Sequence, residues 1–441
     1  MRRCEACCSS LSLPAAAERR GALLRHPLVA VCGWLLVDAG RRHTLENKRD
    51  MGARVVDRGE IRGELEAFRA SVRRFVGREI APYTAQWERE GIVPLSVWRA
   101  LGKAGFLCVD VPETDGGAGA DVRFSVVVLE ELARANAGGL CTGVMVHSDI
   151  VAPYLVHHGS QQQRRQWLPR LISGEVVGAI AMTEPSAGSD LKALCTRARA
   201  LPSGYLINGQ KTFITNGQNA GLVVTATKTD PEAGARGVSL FLVDAALPGY
   251  RRGRNLDKVG QHMADTSELF FEDVSVGHDA LLGTEGEGFG ILMSELPRER
   301  AMIAVFAQAA AEAAFEWTVA HVRQRQAFGT TLSALQNTRF QLAQLATELD
   351  VGRTFIDHCV DELAAGQLDA TRAAKAKLYL TELQGRACEL GVQLHGGYGY
   401  MAEYPIARAW ADARVQRIYG GANEVMLELV ARSFLGRADQ P

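Results

Sequence analysis

The chain has 441 residues, 47% of them apolar, and a formal net charge of −1. That length accommodates two or three domains with a sizeable core, and the charge balance excludes the basic excess of a nucleic-acid surface. No apolar run reaches the roughly 18 residues of a membrane-spanning helix, the longest being interrupted by Cys32, Gly33 and Trp34.

Residues 1–53 differ from the rest. They hold Cys4, Cys7, Cys8 and Cys32 and several arginines, without a long periodic pattern. Cys4-x-x-Cys7 has no second Cys/His pair at finger spacing, so no zinc site is expected there. Glu5, Glu18 and Asp38 argue against a transit peptide. The segment reads as an extension, disordered or upstream of a true start at Met51. The remaining cysteines, Cys108, Cys141, Cys195, Cys359 and Cys388, are scattered singly, which suits reduced thiols in a cytoplasmic enzyme.

Residues 54–174 carry a helical pattern. Ile61, Leu65, Phe68, Val72 and Phe75 recur every three or four residues, on one helix face that Pro82 is expected to end. Further helices are predicted over 94–106, 125–136 and 161–172, with a turn over 112–117. Across 175–285 the period shifts towards two. Residues 205–207 run into Asn208-Gly209, which predicts a two-residue hairpin resuming at 211–214. Strands are also expected over 222–224, 238–243 and 268–271. From 286 to 437 helix returns, over 300–324, 335–363 and 369–394, with Pro297 expected in a first turn. Helices, then strands, then helices exclude a doubly wound nucleotide-binding fold.

Four motifs carry chemistry. Pro185 and Gly188 shape the loop 181–190, which presents backbone N–H groups and hydroxyls able to grip a heterocycle or an anion. Alone, such a loop is more often a surface turn. In Lys211-Thr212-Phe213-Ile214-Thr215-Asn216-Gly217, strand alternation puts Phe213 and Thr215 on one face, where they could line a planar ring or simply a half-buried sheet. Arg325-Gln326-Ala327-Phe328-Gly329 stands at a helix end, where an Arg is usually a solvated cap charge. Finally, the glycines of Gln393-Leu394-His395-Gly396-Gly397-Tyr398-Gly399 allow close approach of a cofactor to the backbone.

In this order and over roughly residues 54–437, these motifs resemble the acyl-CoA dehydrogenase family. Glu295-Leu296-Pro297-Arg298-Glu299-Arg300, His395-Gly396-Gly397 and Tyr419-Gly420-Gly421 are most similar to its long-chain branch. The resemblance implies an α+β multidomain fold with an N-terminal α-helical domain, a middle β domain and a C-terminal four-helix bundle. It implies FAD held by Met182, Thr183, Gly188, Ser189, Phe213, Ile214 and Thr215. Arg325, Phe328, Gln336, Gln393, Leu394, His395, Gly396 and Gly397 would reach a neighbouring subunit's FAD, and Ala422, Asn423 and Glu424 would touch it from the last helix. Phe213 stands where many members have Trp, and Ala422 where Thr or Ser is common. Substrate contacts are implied for Ser189, Ala235, Arg236, Pro297, Arg298, Arg300, Gly420 and Gly421. The implied setting is an acyl-CoA substrate, an electron-transferring flavoprotein as acceptor, a homotetramer, no metal, and the cytoplasm, or the mitochondrial matrix in a eukaryote.

The implied reaction, α,β-desaturation of an acyl-CoA thioester, needs a carboxylate base. Many members carry it where this chain has Gly420, whereas the long-chain and isovaleryl branch places it at Glu299. Glu295, Glu403 and Glu424 are the other acids nearby. Glu299 is expected to be the base, with Gly420 leaving room for it and burial raising its pKa. The alternatives are a flavin oxidase or monooxygenase of the same fold, a non-catalytic scaffold, or a Glu299 that merely pairs with a surface arginine.

Overall fold

The computed structural model describes residues 58–436. The expectations for the N-terminal extension and its cysteines lie outside the described residues. The first helix, α1 (Arg58–Phe75), turns the predicted apolar face inwards, with Val72 buried. Pro82 does not end helical structure, contrary to expectation. The backbone passes through a π turn (Val76–Ile80) and a 3-10 turn (Ala81–Tyr83) into α2 (Thr84–Glu90). Pro82 occupies an opening position of the 3-10 turn, where a missing N–H costs little. α3 (Leu95–Lys103) and α4 (Val122–Arg134) follow, the latter capped by Asp121 accepting from the Arg123 N–H.

α5 (Gly138–Val144), a π turn (Met145–Val151) and α6 (Ala152–His158) then make an almost continuous helical rod. Gly138–His158 is long and apolar enough to cross a membrane by composition, but 94% of its most apolar stretch is buried inside the protein. It is a core helix, buried on nearly all sides, and so lacks the one-faced period that announces a surface helix. α7 (Gln161–Ile172) begins with a reciprocal cap between Ser160 and Gln163.

The central sheet contains β1 (Val177–Ala181), β2 (Arg197–Leu201), β3 (Gly204–Thr215), β4 (Ala220–Lys228), β5 (Val238–Asp244), β6 (Tyr250–Asn255), β7 (Thr266–Val276) and β8 (Leu281–Leu282). Its order is β6-β7-β3-β2-β4-β5-β8, with β1 added parallel to β4. Asn208-Gly209 is not a hairpin. β3 runs straight through it, and the real turn is Pro202-Ser203, which sets Leu201 opposite Gly204. Gly209 marks a bulge instead: its φ is 153°, and a Cβ there would stand 2.4 Å from Thr196 Oγ1. The close approach of Thr196, just ahead of β2, rather than a chain reversal, demands the glycine.

β4 and β5 are buried on both faces. Leu222, Val224, Ala226, Leu240 and Leu242 belong to the core shared with the helices, while Val223, Phe241 and Val243 face a second core against β3 and β7. Two buried faces explain why these strands read as unbroken apolar runs.

At the C-terminal side, α8 (Gly288–Gln324), α9 (Gln336–Ala364) and α10 (Ala370–His395) are long helices packed on one another. The short α11 (Pro405–Ala413) and α12 (Asn423–Leu435) pack on α10, and α4 packs on α8. α8 starts earlier than expected, so Pro297 lies inside it rather than in its first turn. Its ring cannot donate to the Met293 carbonyl, leaving a gap in the hydrogen-bond ladder just before Glu299.

Candidate active site

Glu299 is not a surface partner of an arginine. It projects from α8 into the interior, 3% exposed, and its Oε1 accepts a 2.9 Å hydrogen bond from the hydroxyl of the fully buried Tyr154 on α6. Burial pushes its carboxyl up to about 7. The tyrosine bond opposes that rise, the charge of Glu295 adds to it, and the Arg300 guanidinium opposes it. Such a group is partly ionised near neutrality, and its basicity then suits proton abstraction. Tyr154 escaped the sequence reading because the helix that carries it has no amphipathic pattern.

Glu295, one turn earlier, is also buried and accepts from His157 and His158. Between the two acids, Arg298 is committed to Asp110 at 2.7 Å and Asp149 at 3.0 Å. Its head group therefore ties α8 to the N-terminal helices. Pro297 is half-buried beside it.

Gly420 and Gly421 both have positive φ, 61° and 91°. A Cβ on Gly420 would stand 2.3 Å from Ile303 Cδ1. The neighbour of Gly420 on α8 at that point is thus Ile303, whose δ-methyl crowds the place a Cβ would take. The Arg300 Nε makes a long, 3.4 Å bond to the Gly420 carbonyl. From α10, the fully buried Lys377 donates to the Gly421 carbonyl and to Asn423 Oδ1, both at 2.8 Å. Burial, with the Arg300 charge adding to it, lowers this ammonium to about 8. Asn423 itself turns inwards onto Thr381 and Glu382, whereas Glu424 is exposed and Ala422 caps α12 without a side-chain bond.

The loop after β1 and the strand β3 meet. The Thr212 N–H donates to the Thr183 carbonyl, and Lys211 Nζ donates to the Met182 carbonyl at 3.0 Å and to Glu184 at 2.8 Å. Glu184 also accepts from the N–H groups of Cys195 and Thr196. Burial raises the Glu184 carboxyl, but these donors outweigh it and leave it below the usual value, while burial lowers Lys211 to about 8. Around this pair, Met182, Thr183 and Thr215 are half-buried, Gly188 and Ser189 exposed, and Ile214 buried. Phe213 is 67% exposed in a left-handed conformation, φ 59°, at a break in β3 register. Strand alternation therefore does not align it with Thr215. The bulge turns its ring outwards.

Two surface cavities complete the picture. One, of about 590 Å³, is lined by Arg325, Gln393, Leu394, His395, Gly396 and Gly397 among others. Arg325 ends α8 there, and the His395 Nδ1 donates to the Gly391 carbonyl at 2.7 Å while its ring stacks on His321. Phe328 and Gln336 are exposed nearby in the chain. The other, of about 500 Å³, is bordered by His158, Ala235, Arg236, Phe289 and Ser294.

The N-terminal, middle and C-terminal domains of acyl-CoA dehydrogenases match residues 62–175, 179–274 and 286–435. The long-chain specific acyl-CoA dehydrogenase of Rattus norvegicus mitochondria is 46% identical over 374 residues, 84% of this chain and 86% of the relative. The chain belongs to the acyl-CoA dehydrogenase family. A solved acyl-CoA dehydrogenase from Geobacillus kaustophilus is similar at 47% identity and a TM-score of 0.82, covering 84% of this chain and 97% of that one. A chain solved with the electron transferring flavoprotein of Acidaminococcus fermentans as its subject is 33% identical, TM-score 0.82, covering 85% and 98%.

As an acyl-CoA dehydrogenase the protein is an FAD-dependent oxidoreductase acting on CH–CH bonds. The residues present fit that group. An outward aromatic at Phe213 beside the Thr183 loop can meet a flavin ring, and a cavity combining the Arg325 cation with the open backbone of Gly396 and Gly397 suits a nucleotide diphosphate. The helical, β and helical succession matches the family's architecture.

Proposed function

We propose that this acyl-CoA dehydrogenase desaturates a long or branched acyl-CoA thioester with Glu299 as the base, in fatty-acid β-oxidation. The observation that carries the reading is the buried Glu299 carboxylate, raised to about 7 and aimed by Tyr154. Glu299 takes the proton from the substrate α carbon as the β hydrogen leaves as hydride and the α,β double bond forms. Bound FAD supplies the acceptor for that hydride.

Arg300 and Lys377 hold the carbonyls of Gly420 and Gly421, which fixes the glycine turn so that a backbone N–H can polarise the thioester oxygen. Met182, Thr183, Ser189, Phe213 and Thr215 hold the flavin end of the cofactor. Arg325, Phe328, Gln336 and the 393–397 segment serve the FAD of a neighbouring subunit in a tetramer, and Ala422 and Glu424 approach it from α12. Ala235 and Arg236 border the thioester carrier in the second cavity. An electron-transferring flavoprotein is the acceptor, a reading supported by the likeness to the Acidaminococcus fermentans chain.

Anaerobic titration of the FAD-loaded protein with acyl-CoAs of increasing length and branching tests the whole reading. Bleaching of the flavin by long or branched members is expected, and no bleaching by any of them would overturn it. Fast reoxidation by air would favour the oxidase alternative.

Two variants probe the base. Tyr154→Phe removes the bond that holds Glu299 down, so its pKa rises further. Because the base acts ionised, the rate rises with pH through about 7 in the wild type, and that rise moves to more alkaline pH in the variant. A pH–kcat profile with an unmoved midpoint would contradict the Tyr154 contact. Gly420→Glu puts a side chain at φ 61° against Ile303, at a backbone cost of about 1–2 kcal/mol. A lower melting temperature is expected, with no gain in turnover unless Ile303 is also shortened. Wild-type stability in the single variant would show that the turn is freer than described.

A further inference from the structure

His157 and His158 close the last turn of α6, and the desaturation chemistry uses neither ring. The rings stand nearly perpendicular, centroids 6.1 Å apart. Yet His157 Nδ1 and His158 Nε2 converge on a single atom, each 2.9 Å from Glu295 Oε1. The ligating atoms of the three side chains all lie within 4.8 Å of one another. The carboxylate forms the floor, its side chain 7% exposed, while the imidazoles are 51% and 23% exposed and open to solvent. His158 also borders the 500 Å³ cavity together with Arg236, Phe289 and Ser294.

We propose that His157, His158 and Glu295 form a binding site for a divalent transition cation of the Zn²⁺ class. Two imidazole nitrogens and one carboxylate oxygen are the donor set such ions prefer, with the fourth tetrahedral position left to water. Calcium and magnesium favour all-oxygen shells and are disfavoured by the same set. At bond lengths of about 2.0–2.1 Å, tetrahedral donors stand about 3.3 Å apart. The two nitrogen–oxygen separations therefore need to open only slightly, and the nitrogens need to draw together. Both rings lie on the accessible side of the cluster and can make that adjustment by side-chain rotation alone.

The site has a consequence for the reaction. Glu295 precedes Glu299 by one turn of α8. A cation there cancels a negative charge that adds to the effect of burial in raising Glu299, and so favours its ionised, weaker-base form. Zinc therefore inhibits above about pH 7, where Glu299 is already ionised and only its weakened basicity counts. That consequence rests on Glu299 being the base, whereas binding does not.

Calorimetric titration of Zn²⁺ into chelator-stripped, FAD-loaded protein tests the site. One ion per subunit is expected, with affinity reduced roughly tenfold or more in His157→Gln. Glu299→Gln should bind zinc like the wild type, so the binding result stays readable whichever group is the base. Absence of saturable binding below millimolar zinc, or equal binding by His157→Gln, overturns the site. In turnover assays run above the Glu299 midpoint, zinc should lower kcat reversibly, with chelator restoring it, and His157→Gln should keep its metal-free rate and resist. Zinc binding that is lost in His157→Gln but leaves wild-type kcat unchanged overturns the coupling to Glu299.

Discussion

Glu299→Gln is expected to slow anaerobic flavin bleaching by acyl-CoA by about 10²–10⁴-fold, the usual contribution of a positioned general base. The amide has nearly the shape of the carboxylate, and its oxygen can still accept from the Tyr154 hydroxyl. The variant also avoids burying a charge, so the fold should be at least as stable and FAD should remain bound in full. These features separate loss of chemistry from loss of structure. Stopped-flow absorbance at the flavin band gives the rate, and the bound FAD per subunit gives the control. Near-normal bleaching would move the base elsewhere, and Glu295, the other buried acid on that stretch of α8, would be examined next.

Lys211→Met should have the largest effect on stability. Lys211 is fully buried and its partner Glu184 is 2% exposed at the side chain. Removing the ammonium leaves a carboxylate in the interior with only the Cys195 and Thr196 N–H groups as donors. Breaking a buried pair from one side costs about 3–5 kcal/mol. The Met182 carbonyl loses its donor as well, so the loop that carries Thr183 loosens and FAD should be released more readily. A thermal melt and the FAD content after gel filtration report both effects. Adding Glu184→Gln should recover a large part of the stability, because the penalty lies in the orphaned charge rather than in the lost attraction. Equal melting of wild type and Lys211→Met would refute this account of the loop.

The family, the succession of helical and β regions and the presence of Glu299 in a distinctive motif are legible in the sequence, because short motifs keep their spacing however the chain folds. What is not legible depends on partners distant in sequence. Tyr154 lies 145 residues from Glu299 on a rod buried on nearly all sides, and nothing local marks its hydroxyl as aimed. Lys377 reads as an ordinary helical lysine until α10 packs behind the glycine turn. Asn208-Gly209 misleads because the same dipeptide that closes hairpins also relieves a close approach between strands, and only the position of Thr196 decides which. Pro297 misleads similarly: tertiary packing extends α8 through a residue that local rules place at its start.

The contact between Gly420 and Ile303 has a bearing on how such an enzyme can change over time. On the proposed reading the carboxylate comes from α8, and a side chain placed on the turn before α12 would first have to displace an isoleucine δ-methyl. Moving the base to the turn thus needs substitutions at 420 and 299, with Ile303 turning its δ-methyl aside. Either order of making them passes through a protein with two competing acids or none. The two arrangements are therefore separate mutational peaks, with an intermediate between them whichever change comes first.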